Sequence, residues 1–125
     1  LDQPVLLDEL TDAFHSKENT GPGIDNIHYK ALKHLSVSSL VILCRILNAL
    51  WEQSLIPDIW RLSRIIGIPK KGSSKLRPIS LANCIRKIVD TILNKILVHW
   101  LETNILPNNF YGFRSGRGAL NAVRT

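Results

Sequence analysis

The chain of 125 residues is long enough for one domain with its own core, and its 45% hydrophobic and 21% charged residues are typical of globular proteins, which excludes a disordered chain. With only two Cys, the chain has no disulfide framework. The sequence contains no run of 18 apolar residues, so no membrane span is expected. The net charge of +6 divides into −4 for residues 1–60 and +10 for residues 61–125, which favours a polyanionic partner for the second half. Because the chain begins with Leu1 and contains no Met, we expect it to be part of a longer protein.

The first half of the chain is predicted to be helical. Its apolar residues recur at spacings of three and four, and two Gly and a Pro interrupt the pattern once. Either Ser38 or Ser39 is expected to cap the third helix, because a serine hydroxyl accepts backbone N–H groups at a helix start. The predicted elements are a helix at about 4–17, a loop at 19–26, a short helix at about 27–35, and a helix that ends at about Ser54.

The second half is predicted to contain one β-hairpin and the longest helix. A short run rich in isoleucine favours a strand, and Pro78 places its own segment at an edge or with its nitrogen turned from the ladder. The long helix carries an apolar stripe from Ile85 to Leu101 that is wide enough to belong in a core. The predicted elements are strands within 62–69 and 76–80, a turn at 71–74, a helix at about 82–104, a loop at 106–118 and the start of a helix at 119–125.

These elements predict an α+β fold that is mostly helical with a single hairpin. A lone hairpin is marginally stable in water, so we expect it to pack on the helices or to join strands outside this chain.

Four cations crowd the predicted tip of the hairpin. Like charges at one tip repel each other by about 1 kcal/mol per close pair in solvent, so the cluster is not expected to serve stability. Lysine supplies a mobile charge and arginine a planar fork that fits phosphate oxygens, which indicates a multiply charged anion as ligand. The alternative is a solvated charged tip that protects an edge strand. The four cations are Lys70, Lys71, Lys75 and Arg77.

Two glycine-rich segments are further candidates. Residues 109–118 combine three aromatics, two Arg and three Gly, a composition that suits stacking on bases and approach to phosphates. The alternative is a loop whose aromatics fill the core. Residues 20–27 contain Gly21 and Gly23 beside Asp25, which can cap the helix that follows, and the alternative here is a purely structural turn.

The four His and two Cys show no ligand spacing, so no zinc site is expected.

Taken in order, four segments resemble the reverse transcriptase domain of non-LTR (LINE-type) retrotransposons. They are residues 21–27 (GPGIDNI), residues 57–61 (PDIWR), residues 68–81 with IPKKG followed by LRPISL, and residues 111–117 (YGFRSGR). Each motif is weak alone, and the four occur in the order of that family. The resemblance implies an N-terminal fragment of an RNA-directed DNA polymerase with the fingers and a partial palm of a right-hand polymerase, truncated before the catalytic palm strands.

The resemblance also implies roles for individual residues and a division of the chain. Residues 1–60 would be a helical N-terminal extension, residues 61–80 the fingers hairpin, and residues 81–125 the long helix, the Gly-Phe-Arg loop and the next helix. The predicted dNTP-binding residues are Lys70, Lys71 and Arg77, and the predicted nucleic-acid-binding residues are Lys75, Gly112, Phe113, Arg114, Arg117, Gly21 and Gly23.

The family's catalytic aspartates follow the Gly-Phe-Arg block, so we expect them beyond residue 125. The resemblance therefore implies Mg²⁺ in the full-length enzyme, with its ligands and the catalytic residues absent from this chain. We expect this fragment alone not to polymerise. The implied partners are an RNA template, a DNA primer, dNTP and the remainder of the polymerase domain, without a membrane. The implied location is intracellular, in the cytoplasm and nucleus.

Two other functions fit the residues. The first is a non-enzymatic, basic, mostly helical domain that binds nucleic acid with its C-terminal half. The second is a structural helical module whose partner contacts the apolar stripe of residues 85–101.

Overall fold

The computed structural model describes residues 4–18 and 20–124 and combines helices with one antiparallel hairpin. The predicted α+β mixture is therefore confirmed, whereas the short helix α4 was not predicted. Asn19, where the predicted loop begins, and Thr125, where the predicted last helix ends, lie outside the described residues. The elements are α1 (Leu7–His15), α2 (Tyr29–Lys33), α3 (Val37–Glu52), α4 (Asp58–Arg61), β1 (Arg64–Pro69), β2 (Leu76–Leu81), α5 (Cys84–Asn104) and α6 (Ala119–Arg124).

The chain forms two compact units, and the boundary between them falls inside α5, after Leu93. The first unit contains the hydrophobic core, which α1, α2, α3 and the first half of α5 build together. Each of these helices contributes apolar residues one turn apart, so that one face of each is buried. The buried core residues are Leu10, Ala13, Phe14, Tyr29, Leu32, Cys44, Leu47, Cys84, Ile88 and Ile92.

Helix α3 begins earlier than the sequence predicted. Ser36 is the N-cap: it has an extended backbone, with φ of −65° and ψ of 159°, and its Oγ accepts the backbone N–H of Ser39 at 3.3 Å. Its carbonyl also accepts the N–H of Leu40 at 2.9 Å, the first bond of the helix. The predicted cap at Ser38 or Ser39 is wrong, because both residues lie inside the first turn.

The apolar stripe of α5 is buried only in its first half. Ile88 and Ile92 are buried, as predicted, because they pack among the core residues of α1, α2 and α3. The prediction is wrong for Leu97 and Trp100, which are 47% and 49% exposed, since the core of the first unit reaches α5 only as far as Ile92. Within the described part of the chain, no helix combines the length and apolar character that a membrane span requires.

Two free cysteines belong to the core. Cys44 on α3 and Cys84 at the start of α5 are both buried. The Cys44 thiol donates a hydrogen bond to the carbonyl of Val5 at 3.1 Å. Burial raises the pKa of both thiols, because the thiolate is the form that desolvation penalises.

Tyr29 carries an unsatisfied hydroxyl inside the core. The residue is 1% exposed, and its Oη has no hydrogen-bond partner among the described residues. Burial, reinforced by the nearby thiol of Cys84, raises the pKa of Tyr29 to about 12. A buried hydroxyl without a partner costs about 1–3 kcal/mol.

We therefore expect Tyr29→Phe to increase the free energy of unfolding of the chain by about 1 kcal/mol at neutral pH, measured by urea denaturation. The gain should grow between pH 10 and 12. In that window the tyrosine of the unfolded chain ionises while the folded one stays neutral, so the wild type loses about 3 kcal/mol that the variant keeps. Equal pH profiles for the two proteins would contradict the assigned environment.

Candidate functional site

The hairpin positions the predicted dNTP-binding residues. Strands β1 and β2 pair antiparallel, with Ile68 opposite Arg77 and Pro69 opposite Leu76. The backbone N–H of Lys70 donates to the carbonyl of Lys75 at 3.0 Å, which extends the ladder by one pair. Since residues two apart in a strand share a face, Lys70 lies on the same face as Ile68, and Lys75 on the same face as Arg77.

A tight turn closes the tip. The N–H of Ser73 donates to the carbonyl of Lys70 at 3.1 Å, and the Ser73 Oγ accepts the N–H of Lys75 at 3.1 Å. Gly72 occupies the third turn position with φ of +77°, a left-handed conformation that favours glycine. These bonds give the tip a defined shape and bring Lys71 beside the other cations.

The four cations at the tip have no acidic partners in the described ranges, residues 4–18 and 20–124. A shallow hollow of about 330 Å³ lies on the hairpin, lined by Lys70, Lys71, Arg77 and two apolar residues of β1. Like charges placed opposite each other destabilise a strand pair. The predicted hairpin is confirmed: it brings Lys70 opposite Lys75 and places Lys70, Lys71 and Arg77 around one hollow. That these cations bind a multiply charged anion remains a prediction.

The loop before α2 packs closely against the start of α5. A Cβ added at Gly23 would lie 2.7 Å from the backbone nitrogen of Asn83, so only glycine allows this approach. The Asn83 side-chain amide donates to the Asp25 carboxylate, while its Oδ1 accepts the N–H of Arg86 at 3.1 Å and caps the helix. Lys87 Nζ donates to the carbonyl of Gly21 at 2.9 Å.

The same loop holds the base of the hairpin. Asn26, which has a φ of 57°, accepts a hydrogen bond from Arg64 Nη2 at 2.5 Å through its Oδ1. The loop therefore fastens both β1 and α5, as expected of the structural turn that was the alternative for this segment. That Gly21 and Gly23 bind nucleic acid remains a prediction, because the contacts present here are within the chain.

Arg114 organises the Gly-Phe-Arg loop from inside the second unit. The residue is 9% exposed, and its Nε and Nη2 both donate to the carboxylate of Glu102 on α5. Its Nη1 donates to the carbonyls of Pro107 at 2.8 Å and Phe110 at 2.9 Å. The hydrogen bonds from Arg114 lower the pKa of Glu102 below its usual range. Arg114 thus links the loop to α5 through its hydrogen bonds. That it contacts nucleic acid remains a prediction.

Phe113 points away from the protein. Its relative exposure is 112%, and its φ of 57° is left-handed, which is uncommon for a residue with a side chain. The alternative in which the aromatics of this loop fill the core is wrong for Phe113. In the same loop, the Arg117 guanidinium lies 6.0 Å from the ring centroid of Tyr111, and a Cβ added at Gly112 would meet nothing within 4 Å.

Sequence reasoning missed Glu102 and Asn83, which hold two of the candidate segments in place. Glu102 left a signal, because residues 61–125 contain only two acids, and an isolated carboxylate before an arginine-rich loop predicts an ion pair. The other acid, Asp90, pairs with Arg86 at 3.5 Å. Asn83 left only the general preference of asparagine for helix starts.

The described residues do not fit a metal site. Across residues 4–18 and 20–124, no three His, Cys, Asp or Glu side chains lie close enough together to hold a metal ion. No metal-dependent step is therefore assigned to these residues.

The comparisons with known proteins connect the chain to transposon polymerases, although no family model matches it. It is 30% identical over 128 residues to the probable RNA-directed DNA polymerase from transposon BS of Drosophila melanogaster, an alignment that spans 97% of this chain and 14% of that protein. It is 30% identical over 104 residues to the probable RNA-directed DNA polymerase from transposon X-element of the same fly, which spans 78% of this chain and 12% of that protein.

A third relative is the RNA-directed DNA polymerase from mobile element jockey of Drosophila funebris, 30% identical over 122 residues, covering 92% of this chain and 13% of that protein. The chain thus spans 12–14% of the length of these curated relatives. It is related to a segment of RNA-directed DNA polymerases from transposons.

Proposed function

We propose, from this relation to transposon polymerases, that the chain forms the fingers and the start of the palm of a non-LTR reverse transcriptase. In this proposal the hairpin tip binds the triphosphate of the incoming dNTP, and the Gly-Phe-Arg loop contacts the primer–template. The observation that carries the proposal is the cluster of four cations without acidic partners among the described residues.

The hairpin residues neutralise and orient the triphosphate. Lys70 and Lys71 supply point charges, and the Arg77 guanidinium offers parallel N–H donors that match two phosphate oxygens. An anion bound between these residues also offsets the mutual repulsion of their like charges. In the full-length enzyme, Mg²⁺ would activate the primer hydroxyl and stabilise the charge of the leaving pyrophosphate, and residues outside the described ranges would hold it.

The primer–template contacts are proposed for exposed groups of both candidate segments. Lys75 provides a cation at the tip, while Arg117 and the ring of Phe113 provide charge and a stacking surface. Gly112 lies in open space, which allows a backbone or base to approach it. The exposed half of α5 is proposed to contact the remainder of the polymerase domain.

Lysine footprinting tests the triphosphate site. We expect dTTP to protect Lys70 and Lys71 from an amine-acylating reagent, with mass spectrometry reporting each lysine, while thymidine gives no protection. Lys30, an exposed lysine of α2, is the matched control and should stay reactive throughout.

Equal reactivity of Lys70 and Lys71 with and without dTTP would contradict the proposal. If nucleic acid then bound with a steep salt dependence, the non-enzymatic nucleic-acid-binding domain would be the better description.

A further inference from the structure

Glu102 is the one acid in the second unit, and the proposed function leaves it without a role. We propose that Glu102 is a positioning residue: it acts through Arg114 to hold the loop of residues 107–117 so that Phe113 stacks on a base of single-stranded nucleic acid. This inference rests on the proposed function. Within the Gly-Phe-Arg loop it assigns the contact with nucleic acid to Phe113 and the positioning of the loop to Arg114 and Glu102.

The first step is that the hydrogen-bond donors of Arg114 are already used within the chain. Its side chain is 5% exposed and its guanidinium makes four hydrogen bonds, two to Glu102 and one each to the carbonyls of Pro107 and Phe110. An arginine engaged in this way has little capacity left for a phosphate. Its connections instead tie α5 to two points of the loop, so Glu102 sets the position of the whole loop.

The second step is the conformation of Phe113. A non-glycine residue at φ of 57° is held there by its surroundings, and the residue that follows is the anchored Arg114. The ring of Phe113 is fully exposed. Burying an exposed aromatic ring is favourable, so the ring is suited to contact a ligand.

The third step is the charge of the segment that carries the ring. Residues 103–124 contain three Arg and no Asp or Glu. Two of these, Arg117 and Arg124, line a hollow of about 390 Å³ together with Tyr111. An exposed aromatic ring in a segment with cations and no acids favours a nucleic acid over an apolar protein segment, because the ring can stack on a base while the arginines contact phosphates.

The test measures binding of the chain to a fluorescent RNA–DNA primer–template with a single-stranded RNA overhang, across a range of salt concentrations. We expect Phe113→Leu to weaken binding about tenfold without changing the slope of log affinity against log salt, since stacking involves no phosphate. Arg117→Gln is the matched control and should reduce that slope.

Glu102→Gln should weaken binding severalfold with an unchanged slope, and it should cause no further loss when combined with Phe113→Leu. Removing a negative charge would by itself strengthen binding to a polyanion, so a weakening identifies the positioning role. Arg114→Lys, which keeps the charge but not the fork, should reproduce the effect. In the free chain, amide hydrogen exchange of residues 107–117 should be faster in Glu102→Gln and in Arg114→Lys than in the wild type.

Binding by Glu102→Gln that equals or exceeds the wild type would overturn the inference, as would an effect that persists in the Phe113→Leu background. An unchanged affinity of Phe113→Leu would assign the ring to another surface, such as a protein segment, and would also overturn it. If the wild type binds no nucleic acid, the proposed function and the named ligand both fail. Unchanged exchange in Glu102→Gln rejects the positioning role separately.

Discussion

Gly23→Ala is expected to destabilise the first unit by about 3 kcal/mol or more. The added Cβ would lie 2.7 and 2.8 Å from the backbone nitrogen and Cα of Asn83, and 3.0 Å from the carbonyl carbon of Ala82. Backbone atoms at the start of a helix cannot move aside as a flexible side chain can, so the loop and α5 must separate. Urea denaturation followed by circular dichroism measures the loss.

Gly112→Ala is the matched control, because a Cβ at this position meets nothing within 4 Å. It should change the free energy of unfolding by less than about 0.5 kcal/mol. Similar unfolding midpoints for both alanine variants would show that Gly23 does not make the close approach described here.

Arg77→Ala is expected to weaken the binding of dTTP about tenfold. Hydrogen bonds to charged groups contribute about 1.5–3 kcal/mol each, and Arg77 is the one planar fork that lines the hollow on the hairpin. The measurement is the dTTP concentration that half-protects Lys70 and Lys71 from acylation. Arg77→Lys should fall between the alanine variant and the wild type, because it keeps the charge without the fork.

Lys30→Ala removes an exposed cation of α2 that does not line the hollow on the hairpin, and it serves as the matched control. It should leave half-protection unchanged. If Arg77→Ala also left the half-protecting dTTP concentration unchanged, the triphosphate would have to bind elsewhere. This outcome would not depend on the result for Phe113.

The sequence predicted the elements whose signals are local. The isoleucines of β1 and the turn around Gly72 indicated the hairpin, and the register then brought Lys70 opposite Lys75. The periodic apolar residues from Ile85 onward indicated α5 to within two residues. Propensity and spacing act over a few residues, so they suffice for such elements.

The contacts that build the candidate site could not be predicted in the same way. The pair of Glu102 and Arg114 joins residues twelve apart, and the bond between Asp25 and Asn83 joins residues fifty-eight apart. The scarcity of acids in residues 61–125 indicated an ion pair for Glu102, but the choice of its partner depends on how the elements pack. The pairing of Asp25 with Asn83 depends on packing alone. The outward turn of Phe113 is also invisible in the sequence, since phenylalanine is usually buried.

The start of α3 and the short helix α4 were not predicted, because neither leaves a periodic apolar pattern. Three serines, Ser36, Ser38 and Ser39, are candidate caps for α3, and Ser36 is the one that has an extended backbone, because the helix begins at Val37. Helix α4 is a single turn of four residues between Pro57 and β1, too short for any periodicity to develop.

The buried cysteines make the chain a convenient background for site-specific chemistry. Only thiolates react rapidly with maleimides. Cys44 and Cys84 are buried, which shields both thiols from the reagent, and the same burial raises their pKa and so disfavours the thiolate. One cysteine introduced at the exposed turn, for example Ser73→Cys, would therefore be the dominant reactive thiol. A fluorophore or spin label could then report events at the hairpin without first removing the native sulfur atoms.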